Sequence, residues 1–215
     1  MTQLHPPSMK GPVMTPTKVA ALLTFLATPF AGHAQDGPAF DCAKAESSAE
    51  KLVCDDPALA ALDRRLADRF AAAMSVAKGL DAGANEAEDL LRATQRGWIK
   101  GRDECWKDPD LRVCVERQYL QREGQLVAQF MLEDPRETQE WFCGDNARSV
   151  TITTFDTELP AIRVEEGDSV YVGSLRSVDT PGDYFVAFWG AISFDGTTAR
   201  IEDNYGEKAG CRIAG

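Results

Sequence analysis

The period of the apolar pattern changes once along this chain, and that change limits the folds open to it. Up to about residue 131 the apolar residues recur at steps of three and four. After residue 140 they sit in short blocks rich in β-branched and aromatic side chains, punctuated by Gly, Asp or Pro. A helix and a strand need different side-chain periods, so the two halves cannot share one kind of element. Between them lies "LEDPRETQE", residues 132–140, which is polar, contains Pro and reads as a linker. The expected fold class is therefore α + β as two separate domains that fold separately. A disulfide-stapled helical bundle is expected over residues 35–131, and a small antiparallel β-barrel over 141–215.

Local signals place the elements. Asp56-Pro57 supplies an N-cap and a first-turn proline. Leu59, Leu62, Leu66, Phe70, Met74 and Ala77 then mark one apolar stripe, closed by Gly79 and Gly83. Asn85 with Glu88 resembles a capping box for the next helix, and Asp108-Pro109 repeats the start signal for the last. A short helical turn is expected within "AESSAEKLVC". Three main helices joined by short turns run up, down and up. In "QRGWIKGRDEC", residues 95–105, Trp98 and Arg102 share a helix face. Trp98 is expected to pack inward. Gly97 and Gly101 would form a flat strip open to close approach, and Arg102 would reach a carboxylate such as Asp63. Strands are expected in "SVTITTFD", "PAIRV", "DSVYVGSL", "DYFVAFWGAIS" and "TTARIE".

The first 34 residues carry a different message. Lys10 and Lys18 precede the apolar run "VAALLTFLATPFAG", which ends in "GHA" before Gln35. That is the pattern of a secretory signal peptide, residues 1–34, cleaved after Ala34. The run is too short for a membrane span, and nothing later approaches the ~20 apolar residues one needs. No cysteine sits at the cleavage point, so no lipid anchor is expected, and the protein should be periplasmic or secreted. Cleavage removes His5 and His33, the chain's two histidines. Ser-His or Cys-His catalysis and His-ligated metal are thereby excluded; no catalytic residue, cofactor or metal is expected. It also removes two lysines and no acid, leaving 34 acidic against 21 basic residues, a formal charge of −13. Nucleic acid is a poor partner for such a chain, and a basic protein a good one.

All six cysteines remain after cleavage. An even number in an exported chain reads as disulfides. Cys42, Cys54, Cys105 and Cys114 all belong at one pole of the bundle, where they would pair among themselves in one of three ways. Cys143 opens the strand region and Cys211 nearly closes it, so a bridge between them would tie the first strand to the last.

Two resemblances add to this reading. "FDCAKAESSAEKLVC", "LAALDRRLADRF", "QRGWIKGRDEC" and "CVERQYLQREGQL" resemble the N-terminal domain of the LprI family of lysozyme inhibitors over residues 40 to about 126. Asp63, Trp98, Arg102, Tyr119 and Arg122 fall on its motif, and their role is read as structural. The strand region resembles the MliC family of barrel inhibitors of C-type lysozyme. "WFCG" matches its opening, "VTITTF" its next strand and Cys211 its closing cysteine. The resemblance implies lysozyme contacts at Thr180, Pro181, Gly182, Asp183 and Tyr184, with Trp189 and Ser193 nearby. The chain departs from that family where Pro181 replaces a Ser, and where the Lys-Gly pair after the Trp is absent. Together the resemblances imply a non-enzymatic exported protein that inhibits C-type lysozyme. The alternative is an envelope module that binds another protein or a cell-wall partner.

Overall fold

The computed structural model describes residues 37–144 and 148–214; the expected signal peptide lies outside them. The helices come first: α1 (Ser48–Asp55), α2 (Pro57–Lys78), α3 (Ala84–Asp103) and α4 (Leu111–Phe130). Eight strands follow: β1 (Glu137–Cys143), β2 (Arg148–Phe155), β3 (Ala161–Glu166), β4 (Ser169–Leu175), β5 (Asp183–Val186), β6 (Gly190–Asp195), β7 (Thr198–Asp203) and β8 (Lys208–Ile213). Every neighbouring pair is antiparallel, and β8 returns to β1, so the sheet is a closed barrel. The expected disulfide-stapled helical part and antiparallel β-barrel are both observed.

The caps show why the helices begin where they do. In α1, Ser47 accepts from the Glu50 N–H while Glu50 accepts from the Ser47 N–H, a complete capping box. The short turn expected here is thus a helix of two turns. Asp56 caps α2 by accepting from the N–H groups of Ala58 and Leu59. The expected box at Asn85 does not form: α3 starts after Gly83, whose φ of +73° turns the chain. Nor does Asp108 cap α4. Asp110 does, accepting from Val113 N–H.

Three disulfides are present. Cys42 joins Cys54 and Cys105 joins Cys114, one choice among the three that spacing leaves open. Cys143 joins Cys211. That bond lies on the β1–β8 seam, where Cys143 and Cys211 are register partners.

Each part has its own apolar core. Leu59, Leu66, Leu91, Val115, Tyr119 and Leu126 fill the helical one. Val150, Ile152, Val164, Val186, Ile192 and Ile201 fill the barrel. A third cluster joins the two, with Val127 and Ala128 of α4 against Phe155 and Ala161 of the barrel. Gly124 allows this approach, since a Cβ there would lie 3.0 Å from that of Ala161. Arg163 of β3 donates to the carbonyls of Ala128 and Gln129, placing a cation on the negative end of α4. Arg65 bridges Glu123 and Glu158. The linker expected over 132–140 is therefore shorter: β1 begins at Glu137, and the two parts also share a packed face.

Candidate functional site

The hairpin β5–β6 carries most of the residues expected to make contact. Its register pairs Asp183 with Ser193 and Val186 with Gly190. Thr180 and Pro181 are exposed in the turn that leads into β5. Gly182 has φ +86°, a conformation other residues adopt only with strain, and its carbonyl accepts from the Phe194 N–H at 2.9 Å. Asp183 accepts from the Ser193 hydroxyl at 3.0 Å. These five lie at one end of the barrel. Beside them a cavity of about 420 Å³ opens, walled in part by Trp141, Tyr184 and Phe194.

Two of the expected contacts are core residues instead. Tyr184 is 9% exposed and packs edge-on to Phe194; burial pushes its phenol above the usual tyrosine range. Trp189 is 6% exposed. It lies in the β5–β6 turn, at the other end of the hairpin from residues 180–183. Its indole N–H donates to Glu166 Oε2 at 2.8 Å, while Arg148 stacks over the ring and forms a bidentate pair with Glu166. Arg148, helped by the indole N–H, holds the Glu166 carboxyl below its ordinary range. The sequence reading missed this lock, although a buried Trp usually finds an acceptor for its N–H.

The helical motif residues do converge. Tyr119 donates to Asp63 Oδ1 at 2.9 Å and accepts from Arg102 at 2.9 Å. Arg102 also binds Asp103, which accepts from Ser47. Arg102 therefore does reach a carboxylate, Asp103, directly, while Asp63 is joined to it through Tyr119. Trp98 packs at the margin of this core, edge-on to Tyr119, and donates to the Gln118 carbonyl at 3.0 Å. Gly97 and Gly101 face open space, so no neighbour uses the expected strip.

Arg122 is the exception in charge. It is 6% exposed and bonds to Gln95, Thr94 and Gln125, all of them neutral. Burial brings its pKa down to about 10. Burial also raises the Tyr119 phenol far above its ordinary value.

The class of structure is now defined. A disulfide-stapled helical bundle is packed on a closed antiparallel barrel, and its gathered polar side chains are bonded to one another. All described cysteines are in disulfides, and no group of three metal-ligating side chains occurs among the described residues. No helix among them is long and apolar enough to cross a membrane.

Residues 42–133, the helical part, match the model of the family described as lysozyme inhibitor LprI. The chain is 34% identical over 91 residues to the proteins named Lipoprotein LprI of Mycobacterium bovis and Mycobacterium tuberculosis. The match covers 42% of this chain and 42% of each relative, so the chain spans less than half the length of the relatives it matches. No solved structure matches the chain.

Proposed function

We propose that this chain is an exported, non-enzymatic protein that binds and inhibits C-type lysozyme, with an MliC-like barrel as its second domain. The observation that carries the reading is the match of residues 42–133 to the LprI lysozyme-inhibitor family. Physical chemistry agrees with it. Lysozyme works with two carboxylates in a cleft, so an inhibitor has only to fill the cleft and needs no catalytic group. A mature charge of −13 suits a strongly basic target, speeding encounter and adding salt-sensitive affinity. Residues 180–183 with Ser193 offer one polar contact edge.

The test is lysozyme digestion of cell-wall glycan with the purified mature protein in stoichiometric excess at low salt. Inhibition without turnover by the protein itself is the expected result. It should weaken as salt shortens the reach of charge to about 8 Å at physiological ionic strength. Failure to inhibit under these conditions sinks the reading. The envelope-module reading then replaces it, favoured by the burial of Tyr184 and Trp189 and by Pro181 in place of Ser.

A further inference from the structure

Two exposed aromatics stand at the end of the barrel away from residues 180–183. Phe188, in the β5–β6 turn, is 90% exposed, and Tyr205, in the β7–β8 turn, is 93% exposed. The β6–β7 register runs out at Gly190 and Asp203. Each aromatic lies two residues beyond that pair, so the two turns project side by side.

Phe188 is also strained. Its φ is +63°, in the left-handed region, where a bulky side chain is an outlier. Glycine takes the positive φ nearby, at Gly190 (φ +133°), where β6 begins, and at Gly206 (φ +83°) in the β7–β8 turn. A Phe that is both strained and bathed in water contributes nothing to the fold that Gly or Asn would not. Strain of this kind gathers at sites that bind.

Both rings ride on stiff supports. Trp189, next to Phe188, is locked by Glu166 and Arg148. Gly190 lies so close to β7 that a Cβ would come within 2.1 Å of the Glu202 carbonyl oxygen. The Asp203 carboxylate accepts from the N–H groups of Tyr205 and Glu207, both at 2.9 Å. Such mounting lowers the ordering cost of binding.

The surrounding charge has one sign in excess. The turns at this end carry Glu166, Asp168, Glu202, Asp203 and Glu207 against Arg148 and Lys208 among the described residues. Both cations are already paired, Arg148 with Glu166 and Lys208 with Glu202.

The geometry points to this end of the barrel as the docking surface for a basic protein. Phe188 and Tyr205 are its apolar anchors, and the carboxylates around them select a cationic partner. The inference rests on the lysozyme reading and adds to the polar edge of residues 180–183 a second contact surface at the opposite end of the barrel.

Calorimetric titration of C-type lysozyme at low salt tests it, with wild-type protein, Phe188→Asn, Tyr205→Ser and the double variant, alongside thermal unfolding of each. Each single change should weaken binding about tenfold, as expected for a buried aromatic anchor, and the double change about a hundredfold. Phe188→Asn should unfold at the wild-type temperature or above it. A double variant that binds like wild type overturns the surface. So does a Phe188→Asn protein that melts well below wild type, which makes Phe188 a structural residue. A wild-type protein that does not bind lysozyme overturns the lysozyme reading, and this surface with it.

Discussion

Removing the Cys143–Cys211 bond by changing both cysteines to Ala should be the most damaging of the three disulfide deletions. The seam it staples is short. β1 and β8 share three register pairs, from Trp141 with Ile213 to Cys143 with Cys211, whereas β1 and β2 share seven. The bond also closes the longest stretch of chain, a separation of 68 residues against 12 and 9 for the other two. The loss of unfolded-chain entropy with loop length gives about 4 kcal/mol for the long loop and about 3 kcal/mol for each short one. Alanine is the right replacement, because Cys143 is fully buried and a serine hydroxyl there would lack a partner. Urea unfolding followed by tryptophan fluorescence and circular dichroism measures the loss, with Cys42→Ala/Cys54→Ala as the comparison. A loss below about 1 kcal/mol, far from the chain-entropy value, would refute the reasoning. So would a loss no larger than that of the comparison.

Two further outcomes are expected. Arg122→Met should stabilise the protein at pH 7. Keeping Arg122 protonated when burial brings its pKa down to about 10, well below the ordinary guanidinium range, costs roughly 3 kcal/mol, and Thr94 is exposed and Gln95 half-buried, so both can turn to water. The sign follows from the lowered pKa. The wild-type penalty is absent above the unfolded pKa, grows as pH falls toward about 10, and is complete below it. Urea midpoints at pH 7 and near pH 11 should therefore differ less between wild type and variant at the higher pH; a variant weaker than wild type at pH 7 refutes this. Proteolytic cleavage between residues 133 and 136 should leave the two pieces associated on gel filtration, because α4 and the barrel share the cluster of Val127, Ala128, Phe155 and Ala161. Separate elution of folded pieces would make them independent domains.

Local chemistry made much of the fold legible. Asp56-Pro57 carries its helix start in two residues, and the strand blocks with their Gly and Asp breaks gave an antiparallel barrel. What escaped was set by tertiary context. The first half of β1 is polar and reads as linker, because residues 137–139 pair with β2 alone, beyond the seam with β8, and stay largely exposed at the mouth of the barrel. The β5–β6 turn lies hidden in the apolar run "FVAFWGAI", since its left-handed residue is Phe188 rather than a Gly or Asn. α4 has no single apolar stripe because it is covered on two sides, by the other helices and by the barrel. The site was less legible than the fold. An aromatic in a strand looks the same in sequence whether it faces a partner or the core, and Tyr184 and Trp189 face the core. The Arg102–Tyr119–Asp63 relay depends on a hydroxyl placed between two charges, and no spacing rule marks it.

Closure of the sheet has a consequence for how this protein can meet others. An open sheet offers a row of free N–H and C=O groups, to which a peptide or a second copy can add as a further strand. Here β8 pairs with residues 141–143 of β1, the Ala214 N–H donates to the Glu140 carbonyl, and the disulfide keeps that join from opening. Strand addition at that seam is thereby foreclosed, and residues 137–139, which pair with β2 alone, are the stretch of β1 that β8 does not cover. At the seam a partner must instead read side chains, on the turns at the two ends or on the outer faces of the strands. Such contacts can change residue by residue without disturbing the ladder beneath them.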